Sequence, residues 1–118
     1  METRHRLKKA IDELLDQSLA LHVAMDRHFA SGFRQTVNGY AVDRVTFMAG
    51  IASLRLQVSD FRVTVLDEVV NGQLYAQRHS FALQLHDGTR LAREVYVFAD
   101  LDAELRFARI DEVTVDIA

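Results

Sequence analysis

The spacing of apolar residues divides the chain into two parts. Before residue 60 they recur every three or four positions, which is typical of helices; from Phe61 onward they alternate with polar residues, which is typical of strands. The first helix is predicted over residues 4–17, with Thr3 as its N-cap. Its apolar face consists of Leu7, Ile11, Leu14 and Leu15.

Two further helices follow the same spacing. The second is predicted between Ser18, a suitable N-cap, and Gly32, which suits the left-handed position that ends many helices. Its apolar face carries Leu21, Met25 and Phe29. Asp43 is placed to cap the third helix, in which Gly50 is expected to permit close packing. The buried stripe of the third helix consists of Phe47, Ile51, Leu54 and Val58.

Turn signals organise the strands. Asn38-Gly39, between the second and third helices, supplies the two positive φ angles of a type I′ hairpin. The four long strands are predicted at 61–70, 74–86, 90–99 and 105–117. Asn71-Gly72 and Asp87-Gly88 separate the first three of them at hairpin spacing. Residues 99–110, which overlap the start of the fourth strand, could instead form a short helix. The β-branched residues from Ile110 onward favour a strand.

The order of elements predicts an α+β fold: helix, helix, hairpin, helix and then an antiparallel meander. Long strands curl under their own twist, so helices laid across the concave side of the sheet would leave a cone-shaped cavity. With 118 residues, nearly half of them hydrophobic, the chain is expected to form one domain, residues 1–118.

Composition narrows the possible classes of function. The chain has no cysteine, which excludes disulfides and thiolate metal sites. No apolar run approaches the roughly 20 residues of a membrane span, and the charged N-terminus lacks a signal-peptide core, so we expect a cytoplasmic protein without a membrane partner. The net charge of −3 gives no basic surplus for nucleic acid, and the basic residues at 4–9 are interpreted as a solvated first turn rather than a binding patch.

Several segments resemble the nuclear transport factor 2-like superfamily, specifically its SnoaL-like branch. The similar segments are HFASGFRQTVNG, VTFMAGIASLR, LYAQRHSFALQLHDG and RIDEVT, and the resemblance extends over essentially the whole chain. It implies a pocket inside the cone and, commonly, a homodimer. The superfamily includes ketosteroid isomerases, polyketide cyclases, dehydratases, hydrolases, small-ligand binders and protein-interaction modules.

Glu112 is the leading catalytic candidate. The resemblance implies a carboxylate on the final strand of a cyclase-like site, and Glu112 shares a face with Ile110 by alternation. A carboxylate in an apolar cavity has a raised pKa and can act as a general acid or base. The alternative is a glutamate at the solvated rim or paired with an arginine. Ketosteroid isomerases place a tyrosine on the first helix, and this chain has none there.

His79 is the proposed partner of Glu112. It lies in a strand on one face with Gln77 and Phe81, so it could line the cavity or be a hydrogen-bonded core histidine. Tyr96 could place a polar tip in the cavity or belong to the ordinary core. The predicted ligand-binding residues are Phe29, Phe47, Gln77, His79, Tyr96 and Glu112.

No metal or cofactor is predicted. His22 and Asp26 stand at i, i+4, but two ligands without a third nearby are a weak signal. No GxSxG, P-loop or GxGxxG sequence occurs.

The leading hypothesis is a SnoaL-like domain that binds a small apolar or amphipathic molecule in the cone, with possible isomerase, cyclase or dehydratase chemistry. The alternative is a non-catalytic dimerisation or interaction module whose cavity is filled by side chains. In either case apolar residues on both faces of the strands predict a homodimer through the outer face of the sheet. Arg93 is expected near that interface, where an acidic residue of the partner could pair with it.

Overall fold

A computed structural model describes residues 4–117, which form three helices and six strands in an α+β arrangement, as predicted. The helices are α1 (Arg6–Leu14), α2 (Leu21–His28) and α3 (Arg44–Gln57). The strands are β1 (Phe29–Val37), β2 (Tyr40–Asp43), β3 (Val58–Asn71), β4 (Leu74–Leu85), β5 (Arg90–Leu101) and β6 (Phe107–Asp116).

All six strands form one sheet in the order β2-β1-β6-β5-β4-β3. The pairs from β3 to β6 are antiparallel, but β1 and β6 run parallel, so the sheet is mixed and the prediction of an antiparallel sheet is wrong in this pairing. The reason lies far along the chain: β1 covers the edge of β6, which would otherwise present unpaired backbone groups. Local alternation contains no information about that choice of edge.

The first two helices differ from their predicted bounds. Thr3, the predicted N-cap of α1, lies outside the described residues, and His5 occupies the cap position with φ 59° and no side-chain hydrogen bond to the helix. α2 begins at Leu21, after Ala20, while Ser18 bonds to Asp16 through both its backbone nitrogen and its hydroxyl. The predicted cap at Ser18 is therefore wrong.

α2 also ends earlier than predicted. The backbone becomes extended at Phe29, the first residue of β1, where it pairs with Phe107. Gly32 lies inside β1 and not at a helix end. The pairing with β6 supplies hydrogen bonds to this segment and overrides its local helical spacing.

The third helix begins as predicted. The Asp43 carboxylate accepts a hydrogen bond of 2.9 Å from the backbone nitrogen of Thr46, which confirms the N-cap. The helix ends at Gln57, so Val58 belongs to β3. A Cβ added at Gly50 would meet nothing within 4 Å, so the predicted close packing at this glycine is wrong.

The turns follow local chemistry. Asn38 and Gly39 adopt φ angles of 48° and 89° between Val37 and Tyr40, which pair across the β1–β2 hairpin. Between β5 and β6, the Asp102 carboxylate accepts hydrogen bonds from two later backbone nitrogens, an arrangement that favours a turn over a helix. The strand predicted at 105–117 is observed at Phe107–Asp116, two residues later than predicted because Leu105 has a φ of 62° in the preceding turn. The short helix over 99–110 is absent from this described segment.

The two faces of the sheet differ in what covers them. The inner face packs against the helices, and its largest buried side chains are aromatic: Phe29, Phe33, Tyr75 and Phe107. Phe29 and Phe33 meet edge to face with ring centroids 4.8 Å apart. The outer face leaves large apolar side chains exposed, namely Val69, Tyr96, Phe98, Val113 and Val115.

Candidate functional site

A cavity of about 250 Å³ lies between the inner face, α1 and α3. Its walls are mostly aliphatic and aromatic, including Leu7 and Ile11 from α1 and Phe47 and Ile51 from α3. Among the described residues that line it, three have polar or ionisable side chains: Gln35, His79 and Glu112. An apolar cavity with a few convergent polar groups is the usual form of a small-molecule site.

His79 enters the cavity from β4. Its side chain is only 3% exposed, and its Nδ1 lies 3.0 Å from the Oε1 atom of Gln77. Burial lowers the pKa of His79 to about 4, so the imidazole is neutral near pH 7. A neutral imidazole can accept a proton, which is the property that a general base requires.

Glu112 enters the same cavity from β6. Its Oε1 accepts a hydrogen bond of 2.7 Å from Nε2 of Gln35, and its Oε2 accepts one of 3.3 Å from the Thr114 hydroxyl. Burial raises the pKa of Glu112, and these two hydrogen bonds partly oppose that shift. No arginine among the described residues pairs with Glu112, because Arg109 turns to the outer face and bonds to Asp100.

The two ionisable groups face each other across a gap. His79 is opposite Val95, whereas Glu112 is opposite Val97, so they lie two strands and two residues apart. With ordinary strand spacings their Cα atoms are about 12 Å apart. They do not bond to each other, and a small ligand held between them could contact both.

Of the six predicted ligand-binding residues, four line the cavity and two, Tyr96 and Gln77, do not. Phe29 and Phe47 line the cavity, but Tyr96 is on the outer face and 44% exposed, so its predicted place in the cavity is wrong. Strict alternation explains this, because Val95 and Val97 are buried on the inner face. Gln77 is buried on the inner face at 4% exposure, where it contacts His79 without lining the cavity.

Solved structures of known proteins share this architecture. An NTF2-like protein of unknown function from Exiguobacterium sp. 255-15 aligns with a TM-score of 0.73 and 18% identity, over 95% of this chain and 99% of that one. A candidate SnoaL-like polyketide cyclase from Shewanella denitrificans OS-217 aligns with a TM-score of 0.77 and 9% identity, over 95% and 89%. This chain has the nuclear transport factor 2-like fold. No protein-family model and no curated protein matches it.

A third similar structure holds a small molecule. It is a protein with a ketosteroid isomerase-like fold from Catenulispora acidiphila DSM 44928, in complex with trimethylamine, with a TM-score of 0.71 and 11% identity. The alignment covers 94% of the present chain and 85% of that protein. At these identities the likeness establishes the fold and leaves the activity open.

Two residues in or next to the candidate site were missed in the sequence. Gln35 is half-buried on β1 and bonds to Glu112, and Glu68 on β3 bonds to Tyr75 and Gln77. Alternation from the aromatic Phe33 could have placed Gln35 on the inner face, but its neighbour on β6 follows only from the parallel pairing.

Metal ligands do not cluster within residues 4–117, where no group of three or more His, Cys, Asp or Glu side chains could hold an ion. Asp26, which stands one turn from His22, pairs with Arg44 at 3.1 Å. No helix in the described part of the chain is long and apolar enough to cross a membrane.

Proposed function

We propose that the chain is a single SnoaL-like domain that binds a small apolar or amphipathic molecule in this cavity. We further propose that it catalyses proton transfer between that molecule and its own side chains. The observation that carries the proposal is the placement of His79, which is buried, and Glu112, which is half-buried, both facing one cavity. Burial shifts their pKa values in opposite directions, and each shift favours the neutral form. The curled sheet of a cone-shaped fold would then enclose the ligand on one side.

His79 and Glu112 have complementary roles in this proposal. Nε2 of His79 takes a proton from a hydroxyl or an activated carbon of the ligand. In the protonated form that burial favours, Glu112 gives a proton to a carbonyl or leaving hydroxyl at the other end. The ligand keeps its composition in an isomerisation or cyclisation and loses water in a dehydration; exchange with solvent restores both side chains.

The character of the cavity supports a neutral ligand. No lysine or arginine lines it among the described residues, and its volume of about 250 Å³ suits one small ring system. A carboxylate or phosphate would be left without a cationic partner after losing its water. The SnoaL-like and ketosteroid isomerase-like names of the structural neighbours are consistent with such chemistry and belong to those proteins.

Binding can be tested with a neutral fluorescent probe, 2-naphthol, titrated into the purified protein. Ile51→Trp fills the cavity from α3 and should abolish binding. Val45→Trp is the matched control, because Val45 is 78% exposed on the same helix and does not line the cavity. Equal affinity for the two variants would exclude the cavity as the binding site.

Catalysis and binding can then be separated with substitutions at the two ionisable groups. Once mass spectrometry of co-purified compounds identifies a substrate, Glu112→Gln should leave its binding within a few-fold and reduce turnover by roughly 10²–10⁴-fold, the usual contribution of one acid–base group. Unchanged turnover in both Glu112→Gln and His79→Gln would reduce the proposal to binding alone.

The exposed outer face favours a second, compatible function as a homodimerisation module. Val69, Phe98 and Val113 contribute to an apolar groove of about 760 Å³ on that face, and soluble monomers seldom leave such a surface uncovered. We propose that a second copy covers it around a twofold axis. The predicted role of Arg93 changes, because its guanidinium bonds to Asp116 of the same chain at 2.8 Å.

Sedimentation at micromolar concentration tests the dimer. The wild type should sediment at twice 13.4 kDa, and Phe98→Glu should sediment as the monomer. Tyr40→Glu is the control, because Tyr40 is exposed on the β1–β2 hairpin and does not line the outer groove. A wild-type monomer would contradict the dimer.

A cytoplasmic location remains a prediction from the sequence.

A further inference from the structure

A chain of hydrogen bonds runs from the first turn of α1 to the cavity. The backbone nitrogen of His5 donates to both carboxylate oxygens of Glu68, at 2.9 and 2.8 Å. The backbone nitrogen of Leu7 donates to the Tyr75 hydroxyl at 3.3 Å. A backbone N–H can only donate, so the Glu68 carboxylate and the Tyr75 hydroxyl oxygen both act as acceptors in these contacts.

Tyr75 and Gln77 extend this chain of hydrogen bonds toward His79. The Tyr75 hydroxyl donates to Glu68, and burial together with the neighbouring carboxylate raises the pKa of Tyr75, so it keeps the proton that it donates. Nε2 of Gln77 donates to Oε2 of Glu68 at 3.2 Å and to the Tyr75 hydroxyl at 3.1 Å. A carboxylate accepts and cannot donate, so the amide NH₂ must point toward it.

The amide oxygen of Gln77 then faces the other way. It lies 3.0 Å from Nδ1 of His79, and a carbonyl oxygen can only accept. We propose that Gln77 is a positioning residue that holds His79 in the Nδ1–H tautomer and leaves the lone pair of Nε2 directed at the cavity. The tautomer of a neutral imidazole is set by the bond that one ring nitrogen makes, and here that bond is made outside the cavity.

This tautomer specifies a class of ligand, an inference that rests on the proposed function. An unprotonated Nε2 accepts, so the ligand should present a hydroxyl, an N–H or an acidic C–H at the His79 end. A ligand with only acceptors there, such as an ether, would leave both partners unsatisfied after they lose water. Neutral hydroxylated molecules should therefore bind more tightly than their methyl ethers.

Nitrogen NMR of the ligand-free protein reads the tautomer directly. Long-range ¹H–¹⁵N correlation at pH 7 distinguishes a protonated Nδ1 from a protonated Nε2. The chain has five histidines, and comparison with His79→Gln assigns the relevant ring. The expected spectrum is that of the Nδ1–H form; an Nε2–H form or an even mixture of the two would overturn the proposal.

Substitutions test whether Gln77 is responsible. Gln77→Met keeps the length of the side chain without an acceptor and should shift His79 toward the Nε2–H form. Gln84→Met, on the outer face of the same strand, should change nothing. An unaltered tautomer in Gln77→Met would contradict the role of Gln77. The wild-type spectrum decides the tautomer even if a variant does not fold.

The two proposals can fail separately. If His79 is the Nδ1–H tautomer and 2-naphthol does not bind, the proposed function is lost and the role of Gln77 stands. If 2-naphthol binds at least tenfold more tightly than 2-methoxynaphthalene, the ligand class is supported. Equal affinity for the two probes would overturn the ligand class.

Discussion

Arg55 of α3 holds the C-terminal end of α1 in place, and replacing it is a sharp test of this packing. Its Nε donates to the Leu14 carbonyl at 2.6 Å, and its two terminal nitrogens donate to the carbonyls of Leu19 and Glu13 at 2.7 and 3.1 Å. The last carbonyls of a helix have no partner within the helix, and a positive charge there also complements the helix dipole.

The expected loss follows from these contacts. A hydrogen bond from a charged donor contributes about 1.5–3 kcal/mol, but the three bonds share one side chain and are not additive. Arg55 is half-buried, so water can reach part of the site after substitution. We therefore expect Arg55→Met to reduce the free energy of unfolding by about 3 kcal/mol. Arg55→Lys should lose about half as much, because a compact ammonium cannot reproduce the planar fork.

Urea denaturation measures both effects as a lower midpoint with an unchanged slope. Arg62→Met is the matched control, since Arg62 is exposed on β3 and its side chain makes no hydrogen bond or ion pair with the described residues. That variant should remain within about 0.5 kcal/mol of the wild type. Equal stabilities of Arg55→Met and Arg62→Met would refute the reasoning.

Three further predictions concern charge, capping and the hairpin. The pKa of His79 is about 4 in the folded chain and 6.5 in the unfolded chain, so the unfolded state binds the extra proton. The free energy of unfolding should fall by about 3 kcal/mol between pH 6.5 and 4, a loss that denaturation of His79→Gln should lack. Asp43→Ala should lower the unfolding free energy by about 1 kcal/mol through the lost cap, whereas Asp43→Asn should retain most of it; indistinguishable Ala and Asn variants would count against the cap. Gly39→Val places a β-branched residue at φ 89° and should cost about 1–3 kcal/mol, and an unchanged melting temperature would contradict a strained position.

Elements with local signals were predictable from the sequence. The cap at Asp43 and the four long strands depend on residues within a few positions of one another. The end of α2 was not predictable in this way. Phe29 follows Leu21 and Met25 at helical spacing, yet it lies in β1 because it pairs with β6, almost eighty residues later. No local pattern contains that pairing.

A bulge limits what alternation can predict within β3. The register passes from Val65 opposite His79 to Asp67 opposite Arg78, so Leu66 is an extra residue. One extra residue reverses the face of everything after it. Strict alternation groups Val69 with Val65, whereas the structure exposes Val69 and turns Glu68 inward to Gln77. The sequence pattern therefore did not reveal the polar residues that contact His79 from behind, although it placed His79 on the inner face.

The polar residues of the inner face reduce the stability of the sheet relative to apolar residues at the same positions. His79 and Glu112 lie where valine or leucine would stabilise the sheet, and each has a pKa shifted by the burial of its charged form. Gln77 adds a further buried polar group whose bonds continue to Tyr75 and Glu68. A scaffold needed only for a dimer would have its specificity on the outer face and could fill the inner one with apolar side chains. The inner face instead places His79 and Glu112 around a cavity, and the proposed binding of a ligand there would offset that cost.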